Sequence, residues 1–182
     1  MNREELSNYI DNCYMIGRVV DTRNALYREW CTDACYPEPD LLLGAVLIDG
    51  VYFKKDNNGK IHLVYCDVEL GDTLDLGDCI DVFDEISLPS INYRHVVINT
   101  LKVIPMGAFA HTDIETFRGD NVEVVELRAF AGCDNLRELI LPKAKLIYTR
   151  DTDFSNVNII APATCEFSSR QRMNYKKKGL LK

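Results

Sequence analysis

Between Leu101 and Pro162 the chain repeats itself, and this limits what it can fold into more than any other feature of the sequence. Leu101-Lys-Val-Ile-Pro-Met-Gly-Ala-Phe109 is followed by Val122-Glu-Val-Val-Glu-Leu-Arg-Ala-Phe130, and then by Ala144-Lys-Leu-Ile147 leading to Asp153-Phe154. The three Phe anchors lie 21 and then 24 residues apart. A second apolar set follows each anchor: Ile114 with Phe117, Leu136 with Leu139 and Leu141, Val157 with Ile159 and Ile160. The last two sets end in Pro142 and Pro162. A period in the low twenties with apolar residues at fixed phases predicts a solenoid, with one strand and one return arc per coil. A single coil cannot bury its own apolar face and must stack on a neighbour. Such a scaffold offers a binding surface rather than a reaction centre.

Charge is distributed unevenly around that scaffold. The net charge is −7, but residues 168–182 carry six basic groups and no acid. Removing them leaves −13 for the other 167 residues. An acidic body repels free nucleic acid and attracts basic protein surfaces, so a protein partner is expected. No apolar run approaches the roughly 18 residues that cross a bilayer. The first residues, Met1-Asn-Arg-Glu-Glu-Leu-Ser7, lack the apolar core of a signal peptide, and a cytoplasmic home is expected. Seven scattered cysteines, Cys13, Cys31, Cys35, Cys66, Cys79, Cys133 and Cys165, suit reduced, packed thiols rather than a disulfide framework. Cys31 and Cys35 lie one helical turn apart, yet no matching pair of ligands exists among His62, His95 and His111, so no metal is expected.

Ahead of the repeats the pattern is α+β. Leu6, Tyr9, Ile10, Cys13 and Ile16 give one apolar face to a helix over residues 3–16, with Gly17 as its stop. Asp21 or Thr22 caps a second helix with Ala25, Leu26, Trp30 and Ala34 on its stripe, ended by the two prolines of 36–40. These helices are expected to cap the solenoid. Strands are predicted at 41–48, 51–55 and 61–70, joined by Asp49-Gly50 and by a turn at 56–59. The expected organisation is a helical and antiparallel module over 1–65, an acidic strip with the solenoid over 66–167, and a basic tail over 168–182.

The acidic strip stands out chemically. Asp67, Glu69, Asp72, Asp75, Asp78, Asp81, Asp84 and Glu85 occur within Cys66–Ile86 without a Lys, Arg or His among them. Val68, Leu70, Leu74, Leu76, Ile80 and Val82 occupy the even positions, which predicts buried aliphatics opposite a face of Asp67, Glu69, Asp75 and Asp81. Carboxylates crowded this way are tolerated when hydrated or met by a cationic partner. The run lacks the spacing of a calcium loop. Two readings remain: a solubilising face, or a docking strip for a groove lined by Lys and Arg. Ile86-Ser-Leu-Pro89 echoes Leu139-Ile-Leu-Pro142, so the solenoid is open to beginning before Leu101, and Tyr93–Ile98 supplies another strand.

The stretch Ala129-Phe-Ala-Gly-Cys-Asp-Asn-Leu-Arg-Glu-Leu-Ile-Leu-Pro142 resembles the consensus of BspA-type leucine-rich repeats, which reads roughly AFxxCxxLxxIxLP. Residues 107–117 and 153–162 are similar but shortened after the Phe, and about a third of the chain is covered. The resemblance implies short parallel strands, Phe and Cys side chains inside the coil, and a protein- or glycan-binding face. It makes Cys133 a core position, not a nucleophile. The tail allows a short helix over 170–178. Its basic cluster could reach phosphates, cap the solenoid, fold back on the strip or remain a solubilising extension.

No catalytic constellation is present: there is no GxSxG, P-loop, GxGxxG or HExxH, and the histidines have no motif around them. An enzyme is not expected, nor a cofactor. By length, helical start and acidic strip, the whole chain also resembles the anti-CRISPR proteins of phages and mobile elements that act on type II systems. That resemblance implies a stoichiometric inhibitor of a guide-loaded type II CRISPR effector nuclease, whose basic channel and arginine-read PAM an acidic surface can imitate. Asp67, Glu69, Asp75 and Asp81 are then the contacts, with Asp72, Asp78, Asp84 and Glu85 setting the field. The alternative is a leucine-rich-repeat interaction module with an unrelated protein partner. A third reading is a nucleic-acid binder using the tail. The exposed end of a short solenoid also leaves end-to-end dimerisation open.

Overall fold

The structure, a computed structural model, describes residues 1–20, 42–66, 72–83 and 93–169. The chain divides into two compact units, Met1–Leu70 with Asp78–Ile91, and Gly71–Gly77 with Asn92–Lys182. The described residues are predominantly β, with thirteen strands and one α-helix. The second helix expected after Asp21 lies outside them.

In the first unit the helix α1 spans Arg3–Met15. Asn2 caps it by accepting from the Glu5 amide at 2.9 Å, while the Glu5 carboxylate accepts from the Asn2 amide at 2.9 Å. This reciprocal box satisfies two helix-end donors. Leu6, Ile10 and Cys13 are buried as the spacing predicts, but Tyr9 and Ile16 are exposed, so the apolar stripe is narrower than expected. Gly17 ends the helix at φ +67°. The helix packs on the sheet through Lys55, whose amide donates to the Tyr14 hydroxyl and whose Nζ reaches Asp11 at 2.6 Å.

The strands β1 (Val46–Ile48), β2 (Val51–Lys55) and β3 (Ile61–Cys66) form an antiparallel meander. Asp49 and Gly50, at φ 47° and 78°, make the two-residue turn with both φ positive. The Asp56 carboxylate shapes the second turn by accepting from the Asn58 and Lys60 amides. The apolar run from 41 does not extend as one strand. Gly44 at φ +77° turns the backbone, and pairing begins only at Val46. The expected third strand is present over Ile61–Cys66, and its remainder lies outside the described residues.

Two strands fall in the acidic stretch, β4 (Thr73–Gly77) and β5 (Val82–Phe83), and they belong to different units. Strand β5 pairs parallel with β3 and completes the four-stranded sheet of the first unit. Strand β4 opens the sheet of the second.

That second unit is a parallel β-solenoid of four coils. Its strands are β6 (His95–Ile98), β7 (Val103–Ile104), β8 (Thr116–Arg118), β9 (Val124–Val125), β10 (Glu138–Ile140), β11 (Leu146–Tyr148), β12 (Asn158–Ile160) and β13 (Glu166–Ser168). Each coil supplies two strands, not the single strand expected, one to each of two parallel sheets. The sheet orders are β12-β10-β8-β6-β4 and β13-β11-β9-β7. His95, Thr116, Glu138 and Asn158 stand in one register, and Val103, Val124, Leu146 and Glu166 in the other. The short apolar pairs before each Phe, such as Val124-Val125, are themselves strands.

Alternation turns Val96, Phe117 and Leu139 of one sheet, and Ile104, Val125 and Ile147 of the other, into the coil, where all are buried. Between them Phe109 stacks on Phe130 at 5.2 Å, and Phe117 meets both rings at 5.1 and 5.7 Å. Val124, Leu146 and Tyr148 form a second buried cluster with Val103 and Leu127. The arcs turn at matching left-handed positions, Gly107 with Arg128 and His111 with Gly132, and the third arc turns one residue later, at Asp151. Arc backbones also stack, with the Phe109 amide donating to Ala129 and His111 to Ala131.

Candidate binding surface

Of the eight carboxylates singled out in the sequence, Asp67, Glu69, Asp84 and Glu85 lie outside the described residues. The other four are divided between the units: Asp72 and Asp75 in the solenoid, Asp78 and Asp81 in the first unit. No single strand carries them. On β4 the expected alternation holds, with Leu74 and Leu76 buried and Asp75 exposed. It breaks at Gly77, where φ is +43° and the pairing with β6 shifts register. Beyond that break the chain enters the other sheet.

Asp81 is engaged in holding its own unit together. Its carboxylate accepts from Arg3 at 2.6 and 3.2 Å and from the Ile61 amide at 2.8 Å. The Arg3 hydrogen bond, with the Ile61 amide, holds this carboxyl below the ordinary range for aspartate. Asp72 lies 3.7 Å from Arg94, which also approaches Glu115. Asp75 accepts from the Gly77 amide at 3.1 Å. Asp72, Asp75 and Asp81 thus each have a local partner within their own unit.

Cys133 sits where the repeat consensus implies. Its thiol donates to the Phe109 carbonyl at 2.8 Å and lies 3.6 Å from the Thr112 hydroxyl, and burial raises its pKa. A thiol held protonated in this way is a poor nucleophile. His95 shares a 2.9 Å hydrogen bond with Thr116 across β6 and β8, and His111 lies exposed over Gly132. Among the described residues no three His, Cys, Asp or Glu side chains are placed to hold a metal.

The solvent-facing side of the five-stranded sheet carries two columns of side chains. One runs Thr73, His95, Thr116, Glu138, Asn158; the other runs Asp75, Val97, Arg118, Ile140, Ile160. Their inward neighbours Val96, Phe117 and Leu139 are buried, whereas none of these ten is. Val97 and Ile140 are half-buried and Ile160 is 47% exposed. Polar members are oriented by neighbours: Asn158 donates to Glu138 of the adjacent coil at 3.0 Å, and Arg118 donates to Asp120 of its own coil at 2.9 Å. Parallel register places these groups one strand apart, about 4.8 Å. The result is a firm platform of branched apolar groups beside hydrogen-bonding ones.

Asp75 is the member of this face that the sequence had flagged. The others were missed, although their signal is visible: Ile140 and Ile160 are apolar at the alternation phase that points away from Leu139 and Ile159. Beside the face, a cleft of about 450 Å³ opens between the arcs at 126–137 and 149–157, lined by Phe130, Cys133, Leu136, Arg137 and Asp153. The second of these arcs is shorter, so it leaves part of the first uncovered.

No protein-family model matches the chain, and no curated protein matches it. Two solved structures are similar. A leucine rich cell surface protein from Faecalibacterium prausnitzii aligns over 72% of this chain at 15% identity and a TM-score of 0.46, and the chain spans 41% of its length. A leucine-rich repeat protein from Bacteroides capillosus aligns over 68% of this chain and 96% of its own, at 18% identity and a TM-score of 0.30. Neither these comparisons nor the fold supports the resemblance to anti-CRISPR proteins.

Proposed function

We propose that this chain is a leucine-rich-repeat interaction module that binds another protein through the exposed face of its five-stranded parallel sheet. The observation that carries this reading is the column Val97, Arg118, Ile140 and Ile160, which keeps branched apolar side chains in contact with solvent beside Thr116, Glu138 and Asn158. Interfaces are built this way, with an apolar centre, a polar rim and a backbone that is ordered before the partner arrives. The proposed role is binding, with no reaction assigned to the chain.

The test is recovery of a partner by the full chain, compared with two variants. Ile140→Asp combined with Ile160→Asp is expected to abolish capture while the circular dichroism spectrum stays unchanged. Asp72→Lys combined with Asp78→Lys is expected to alter it by less than about threefold, and affinity is expected to vary little with salt. Loss of capture in the lysine variant alone, with steep salt dependence, would overturn the strand-face reading in favour of the acidic residues.

A further inference from the structure

The described part of the solenoid finishes on an uncovered coil. Ile104, Val125 and Ile147 are at most 1% exposed, but Phe167, next in the same ladder, is 55% exposed. Ile159, in register with buried Leu139, is only half-buried. Phe154 is half-buried where Phe109 and Phe130 are fully enclosed. Each inner coil is sealed by the one after it, whereas β12 and β13 are paired on one side only among the described residues. Such an end requires a cover.

The sequence continues the repeat spacing past this end. Counting 21 residues on from Phe154 reaches Tyr175, and the same step from Ile159 and Ile160 reaches Leu180 and Leu181. This step equals the spacing of Phe109 from Phe130 and of Val96 from Phe117. Between the two apolar positions stand Lys176, Lys177 and Lys178. The coil they would meet carries exposed Asp151, Asp153 and Glu166. Period and charge select the same segment.

We propose that residues 170–182 are the cap of the solenoid, with Tyr175 and Leu180 shielding the apolar end formed by Phe154, Ile159 and Phe167. The lysines then lie toward the carboxylates of the fourth coil, and the basic tail serves this chain's own fold rather than a nucleic acid. This inference is independent of the strand-face reading, because it concerns the end of the coil stack and not the side of the sheet.

Hydrogen exchange on the full chain tests it. Leu180→Lys and Tyr175→Ser are each expected to speed exchange of the β12 and β13 amides about tenfold, leaving those of β6 and β8 unchanged. Lys177→Ala is expected to change exchange less than about twofold. Unchanged exchange at β12 and β13 in both the Leu180 and Tyr175 variants would overturn the proposal. So would sedimentation as a dimer that Phe167→Lys dissociates and Leu180→Lys does not, since the end would then belong to a second copy.

Discussion

The inner coils and the fourth coil of the solenoid are written in the same register, yet they differ in what the register achieves. Ile147 and Phe167 are paired residues of adjacent strands, and one is fully buried while the other is more than half exposed. Leu139 and Ile159 show a milder contrast, fully buried against half-buried. Burial in a solenoid comes from the next coil, not from the residue itself, so similar apolar side chains can differ severalfold in worth. The first unit follows another rule. Its antiparallel strands are joined by tight turns, while Lys55 with Asp11 and Arg3 with Asp81 tie in the helix over longer separations.

The contrast can be broken most forcefully at Phe130. Phe130→Ala empties the stack with Phe109 and Phe117 and is expected to cost about 3–5 kcal/mol in denaturant unfolding. Next is Gly132→Ala. The added Cβ would stand 2.4 Å from His111 Nδ1 at a φ of +70°, for an expected cost of about 1–3 kcal/mol. Adding His111→Ala should recover the steric part and leave the backbone part, which calorimetry on the double variant would separate. Phe167→Ala should cost about 1–1.5 kcal/mol, well short of Phe130→Ala, because its ring is covered by the proposed cap and not by a following coil. A large loss at Phe167 would show that the fourth coil is sealed as tightly as the third.

The clasp in the first unit is worth less, because Arg3 is 46% exposed and water screens the pair. Its carboxyl titrates lower folded than unfolded. Its contribution, about 1 kcal/mol or less, is therefore present above the unfolded value near pH ~4 and is lost as pH falls through the folded one. Asp81→Asn should flatten that acid-side slope in a pH series of melts and leave the curve above neutral pH parallel.

A smaller effect of opposite sign is expected from Arg128→Gly. Arg128 adopts φ 59° at the position where the preceding arc has Gly107, so glycine relieves strain while giving up the exposed pair with Asp151. A net gain of about 0.5 kcal/mol is the expected outcome.

Much of this was legible in the sequence. The Phe spacing announced a stack of coils, the Ala129–Pro142 segment announced the phase of the buried residues, and Asp49-Gly50 announced the hairpin. Helix α1 ended at the glycine chosen for it. The second sheet was not legible, because two-residue strands such as Val103-Ile104 are too short to carry a period and become strands only when neighbours pair with them. The acidic stretch shows a related limit. Its period-two pattern is real on β4, but a pattern cannot reveal that the register shifts at Gly77 and that Asp78 and Asp81 belong to the other unit.

The sequence by itself determined the repeat length, the inward phase of each coil, the turn positions and the absence of any recognisable catalytic motif, because these depend on spacing along the chain. Tertiary structure decided which outward residues share a face, which coil end lies uncovered and which carboxylate is consumed by an internal partner. Thr116, Glu138 and Asn158, like Arg3 and Asp81, are brought together by pairing between segments some 20 to 78 residues apart. No local pattern encodes such a meeting, since alternation sets which way a side chain points but only strand pairing sets what it points beside.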